Sequence, residues 1–238
     1  MLFIFALFTV TFAKHVDLSY RALHNPDLFE GDIVGIEDND ARNAIVNPDR
    51  LWKDGVVIYA VDSSLEHIRD LITEAMNHIT KESSGCITFK ERRYERDYVK
   101  FTAADGCYSS FGQVGGAQTL SLGEGCESVG VIVHEIGHAL GFFHEHNRSD
   151  RDDYITVYWD NIQPGSKMQF IKMPSIRNKI FNEFDYESIM IYGNYAFSKD
   201  GKSITMEAKT GVKLREPYEK SGLTASDVYR IKKLYQCE

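Results

Sequence analysis

A surplus of basic residues is the first thing these 238 residues lack: 27 Lys and Arg stand against 35 Asp and Glu, a formal charge of −8. A surface without excess cations does not hold a phosphate backbone, so nucleic acid is excluded as a partner. No apolar run is long enough for a bilayer, because the longest, Met1–Ala13, falls short of the roughly 20 residues a membrane helix needs. No membrane anchor is expected. Repeats and low-complexity tracts are also missing. Cysteine is sparse, four residues in all, at Cys86, Cys107, Cys126 and Cys237.

What is present points to secretion. Met1–Ala13 ends in Thr11-Phe12-Ala13, with a small residue last, and reads as a signal peptide cut after Ala13, although a positive charge near its start is absent. An even set of cysteines in an oxidising compartment predicts two disulfides, with three pairings open. Residues 14–42 are polar and become acidic over Gly35–Arg42, which predicts an exposed processing segment rather than a packed element. Residues 43–238 have the size of one domain.

Within that domain Val56–Val61 reads as a strand. Ser63 or Ser64 can cap a helix whose Leu65, Ile68, Leu71, Ile72, Ala75, Met76 and Ile79 recur at helical spacing. Residues 86–89, 98–102 and 118–122 read as further strands, ahead of a helix over about 128–140, and Ser226 can cap a last helix near 224–236. The order predicts an α+β fold: a mixed twisted sheet with helices, then a more irregular half.

The chemistry is concentrated in His134-Glu135-Ile136-Gly137-His138-Ala139-Leu140-Gly141-Phe142-Phe143-His144. Two histidines four apart on a helix lie on one face about a turn apart and can share a cation. Gly141 can end the helix in a left-handed conformation and turn the chain back, so that His144 becomes a third ligand. Three imidazoles leave zinc an open position for water, as a catalytic site requires. Glu135 then serves as the base that takes the water's proton. The short His-Glu-x-x-His pattern alone would arise by chance in about one such chain in fifty. Adding Gly141 and His144 lowers that to roughly one in twenty thousand, which removes coincidence as the explanation.

Residues 134–152 resemble the signature of the astacin zinc endopeptidases, a branch of the metzincins. The resemblance extends to Ser188–Tyr192, similar to the family's Met-turn, to the segment between Cys107 and Cys126 with Gly115-Gly116 and Ser121-Leu122-Gly123, and to Asn43–Trp52 as a mature N-terminus. It covers essentially all of 43–238 and implies a zincin fold with an active-site cleft between the two halves. Implied with it are one Zn²⁺ per chain on His134, His138 and His144, with Tyr192 as a fifth ligand that swings away and stabilises the oxyanion. Met190 would form the apolar floor. Ile191 stands where the family commonly has His, which removes a supporting polar contact.

The same resemblance implies a proenzyme. Phe29-Glu30-Gly31-Asp32 is similar to the family's inhibitory motif, in which Asp32 would take the water position on the metal. An activating protease would cut after Arg42, and the freed amine of Asn43 would be buried against Glu145, making Trp52 the tenth mature residue. The implied disulfides are Cys86 to Cys237 and Cys107 to Cys126. Arg215 is expected to line a pocket that favours an acidic residue after the scissile bond. Glu145, Tyr192 and a leader without cysteine distinguish the chain from matrix-metalloprotease-like and reprolysin-like branches, and intact Glu135 from a silent binding protein. A secreted, extracellular, monomeric endopeptidase is expected, acting on protein or peptide substrates laid along Gln118–Leu122 as an edge strand.

Overall fold

The computed structural model describes residues 18–35 and 48–237. The expected signal peptide, the Arg42 cut and Asn43 lie outside the described residues.

Strands β1 (Ile33–Val34), β2 (Val56–Val61), β3 (Thr88–Glu91), β4 (Tyr98–Thr102), β5 (Cys107–Ser110) and β6 (Ala117–Leu122) form one sheet in the order β1-β5-β6-β4-β2-β3. β5 runs antiparallel to β6 and the other pairings are parallel, so the sheet is mixed. Helices α1 (Arg69–Glu82) and α2 (Val129–Ala139) are linked to it through an apolar core of Ile72, Ala75, Met76, Ile79, Val99, Phe101, Leu120, Val131 and Ile132. The buried residues of α1 fall at i, i+3, i+4 and i+7, one apolar stripe. In α2 every residue from Gly130 to Ala139 is buried, so this helix is enclosed on all sides.

The second half is irregular, as expected. It holds a two-stranded sheet of β7 (Ile155–Val157) and β8 (Met206–Ala208), several single 3₁₀ turns, and α3 (Ala225–Tyr235). It has its own core around Phe170, Ile191, Tyr192, Phe197 and Leu214. Met190 belongs to the first core and its neighbours Ile191 and Tyr192 to the second, so this turn joins the two halves. Disulfide Cys86–Cys237 ties the end of the chain to the turn after α1, and Cys107–Cys126 closes the segment around the β5–β6 hairpin.

Four expectations are corrected. Gln118–Leu122 is not an edge strand, because β6 pairs with β4 on one side and β5 on the other. The edge belongs to β5, and it carries β1 from the N-terminal segment, with Ile33 opposite Ser109 and Val34 opposite Ser110. That segment is packed over residues 18–34 rather than exposed: Leu23, Asp32 and Ile33 are buried. Ile33 joins Phe111, with Phe29 and Phe143 against them. The helical stretch beginning at Ser63 is capped by Asp62, whose carboxylate accepts from the Ser64 amide at 3.1 Å. Helix α3 is capped by Thr224 in a reciprocal box with Asp227, not by Ser226.

Candidate metal centre

Ser128 starts α2 by accepting the Val131 amide at 3.2 Å, and a Schellman turn ends it. Gly141 sits at φ +98° and its amide donates to His138 O at 2.9 Å, while the Phe142 amide donates to Gly137 O at 3.1 Å. The reversal brings His144 back to the helix. It also turns the Phe142 carbonyl to accept from His138 Nδ1 at 2.7 Å. His134 Nδ1 donates to Ile189 O at 2.7 Å. With Nδ1 carrying the hydrogen, each Nε2 of these two rings is left with a lone pair.

Those lone pairs converge. His134 Nε2 lies 3.2 Å from the Nε2 of both His138 and His144, and all three rings are fully buried. Acceptors cannot hydrogen-bond one another, so such an arrangement needs a cation between them. A tetrahedral zinc with Zn–N bonds of about 2.0–2.1 Å spaces neighbouring nitrogens about 3.3 Å apart, which the observed spacing fits. The Asp32 carboxylate completes a four-residue donor set, its Oδ2 at 3.0 Å from His134 Nε2 and 3.2 Å from His144 Nε2. Burial alone would raise the Asp32 carboxyl. The surrounding His144, His138 and His134 rings outweigh it and hold the group well below the usual carboxylate range.

Glu135 is fully buried and neither of its carboxylate oxygens has a hydrogen-bond partner among the described residues. Burial, then the Asp32 charge, pushes its carboxyl well above the ordinary value. An orphaned buried carboxylate is costly and signals a group held for chemistry. Tyr192, also fully buried, donates its hydroxyl to Asp32.

The turn at 188–192 is held by groups the sequence did not reveal. Asp227 accepts from Ser188 Oγ at 2.6 Å and from the Ile189 amide at 2.9 Å, and Lys220 Nζ donates to Ser188 O at 2.8 Å and Ile191 O at 2.6 Å. The Thr224-x-x-Asp227 capping pattern was a readable signal for Asp227; nothing marked Lys220. Met190 passes over Gly137, where a Cβ would meet its sulfur at 2.5 Å. Ile191 is fully buried among apolar neighbours, so no polar group is missed there. Glu30 was also missed: its Oε2 accepts from His144 Nδ1 at 2.8 Å and from the His144 amide at 3.1 Å.

Glu145 is buried, and its Oε1 accepts from Arg230 at 2.7 Å, Arg148 at 2.9 Å and the Asp185 amide at 2.8 Å. It lines a cavity of about 80 Å³ with Arg148, Asp227, Arg230 and the apolar Met173 and Phe181. Arg215, by contrast, lies at the surface in an ion pair with Glu187, both nearly half exposed.

Fold and site together define a zinc peptidase. Residues 44–236 match the model of the astacin peptidase family. Astacin-like metalloprotease toxin 1 of Loxosceles intermedia is 40% identical over 217 residues, covering 88% of this chain and 81% of its own. Zinc metalloproteinase nas-6 of Caenorhabditis elegans is 36% identical over 241 residues, 96% of this chain and 70% of its own. Among solved structures, high choriolytic enzyme 1, a hatching enzyme zinc-protease from Oryzias latipes, superposes with a TM-score of 0.71 at 35% identity, covering 81% of this chain and 93% of that one. The chain belongs to the astacin family and is a zinc metalloendopeptidase that takes one zinc ion at its histidine cluster.

Proposed function

We propose that the chain is the precursor of a secreted endopeptidase, with Glu135 as general base and residues 18–34 as its own plug. The observation that carries the first part is the burial of Glu135 without a partner, one residue from a metal-binding histidine. A zinc ion held by His134, His138 and His144 would supply Lewis acidity and would lower the pKa of water at the site towards about 7. Glu135 takes the proton of the attacking water and hands it to the departing amine. Tyr192, freed from Asp32, offers a neutral hydroxyl to the developing oxyanion.

Substrate pairs with the free edge of β5, where backbone hydrogen bonds hold an extended peptide of any sequence. In the precursor Asp32 fills the centre of the site and Ile33–Val34 occupy that edge, so neither water nor peptide enters. Cleavage after Arg42 lets the plug leave. The new amine of Asn43 then enters the cavity beside Glu145 and pairs with its carboxylate. An apolar Met1–Ala13 followed by a domain whose four cysteines are all disulfide-bonded supports secretion.

Glu135→Gln tests the reading. Hydrolysis of casein by the processed chain should fall by a factor of about 10²–10⁴ while bound zinc, measured by metal analysis, stays near one per chain. Unchanged turnover would remove Glu135 from the chemistry. N-terminal sequencing of the active secreted form should begin at Asn43.

A further inference from the structure

The N-terminal segment packs a second side chain, His24, beside the metal centre. Its ring lies edge-on to Tyr192 at 4.8 Å and to Phe197 at 4.9 Å. Nδ1 donates to Tyr20 O at 2.6 Å, which turns Nε2 towards the Glu216 carboxylate, 3.6 Å away. Both side chains are almost wholly buried, and neither His24 Nε2 nor Glu216 Oε2 has a hydrogen-bond partner.

Glu216 is a built feature of the cleft. It opens the 3₁₀ turn Pro217–Glu219, and its amide donates to Glu219 Oε2 at 2.9 Å. Its own carboxylate packs on the backbone of Gly193, where a Cβ would lie 2.7 Å from Oε1. Gly193 directly follows Tyr192, so the absence of a side chain there lets this negative charge sit against the catalytic tyrosine's neighbour. Lys220 donates to the carbonyls of Ser188 and Ile191 and senses the Glu216 charge without bonding to it, and Arg215 pairs with Glu187 at the surface.

We propose that the pocket vacated by His24 is a substrate subsite for a basic side chain (Lys, Arg or His) within two residues of the scissile bond, with Glu216 as its specificity-determining residue. This rests on the peptidase reading above. Tyr192 and Phe197 supply walls for an imidazole or an aliphatic stem, and Glu216 supplies a carboxylate whose Oε2 has no hydrogen-bond partner among the described residues. An acidic side chain entering there would face that carboxylate at close range in a poorly solvated space, which is the repulsive half of a specificity device. Arg215, from which an acidic preference was expected, lies at the surface on Glu187, whereas the adjacent Glu216 lies beside His24.

The test uses the full chain activated by limited proteolysis. Cleavage sites mapped in a peptide mixture should be enriched in Lys, Arg or His at one position within two residues of the cut. A matched pair of peptides differing there by Lys against Glu should differ by about tenfold or more in kcat/KM. Glu216→Gln should collapse that ratio to near one, and Glu216→Asp should keep most of it. Enrichment of acidic residues, or a ratio untouched by Glu216→Gln, would overturn the proposal. If the activated chain cleaves neither these peptides nor casein, the peptidase reading fails, and binding still decides this one. A synthetic peptide of residues 18–35 should then bind the processed Glu135→Gln chain roughly tenfold more weakly when it carries His24→Glu, and this loss should vanish when Glu216→Gln is added. Equal binding of the two peptides would sink the subsite.

Discussion

The hydroxyl of Tyr192 donates to the carboxylate of Asp32 across 160 residues of sequence. The same oxygen lies 3.3 Å from the carbonyls of Leu23 and Glu30, so the N-terminal segment surrounds this phenol with acceptors. Burial first, and the Asp32 charge second, push the phenol well above its ordinary pKa, which keeps it a hydrogen donor at any working pH.

That contact makes Asp32 the residue whose loss should wake the uncut chain. In an Arg42→Gln background, where processing is blocked, the otherwise unchanged chain should be silent towards a fluorogenic peptide. Adding Asp32→Ala should raise hydrolysis by roughly tenfold or more, because it removes both the plug at the histidines and the partner of Tyr192. A double variant as silent as the single one would move the block from Asp32 to the β1 strand.

Gly137 sets two known effects against each other. Alanine is the better helix former by about 1 kcal/mol. Its Cβ, however, would lie 2.5 Å from the Met190 sulfur, and overpacking of this kind costs about 1–3 kcal/mol. The steric effect should win, so Gly137→Ala should lower the thermal midpoint by roughly 2–6 °C at this chain length. A midpoint that rises would mean Met190 moves aside without strain.

Lys220 should give the stability curve an alkaline slope. Burial pulls its ammonium down to about 8, whereas an unfolded lysine keeps its proton to about 10.4. Between those values the unfolded chain binds more protons, so stability rises with pH, by at most about 3 kcal/mol; below about 8 the penalty of the buried charge is fully present. In urea unfolding at pH 7, 8, 9 and 10, the unaltered chain should gain stability relative to Lys220→Met as pH increases. A difference that stays flat would mean the charge of Lys220 is already compensated in the fold.

Much of the fold and centre was legible because its cause is local. The spacing of His134, His138 and His144 with Gly141 follows from helix geometry and one left-handed residue, β2 and β4 are runs of β-branched and aromatic residues, and β6 buries Gln118, Leu120 and Leu122 at period two. β5 was not legible, because Cys107-Tyr108-Ser109-Ser110 is short and carries no hydrophobic alternation; without it β6 looked like the edge. The caps were missed by one or two positions where several capping residues stand together, as in Asp62-Ser63-Ser64. Glu30 against His144 and Lys220 against the 188–191 turn are contacts between segments distant in sequence, and no periodicity records them. Arg215 and Glu216 are adjacent, and only the packing of Glu216 on Gly193 tells which of them faces inward.

The pairing of Ile33–Val34 with Ser109–Ser110 has a further consequence for how the chain is made. A strand edge that must accept any peptide backbone will also accept another copy's, and during synthesis at high local concentration that is a route to aggregates. Covering the edge with part of the same polypeptide gives an intramolecular partner that outcompetes neighbours until the molecule is folded. Yield of soluble material should therefore depend on residues 33 and 34 even though neither takes part in any chemistry.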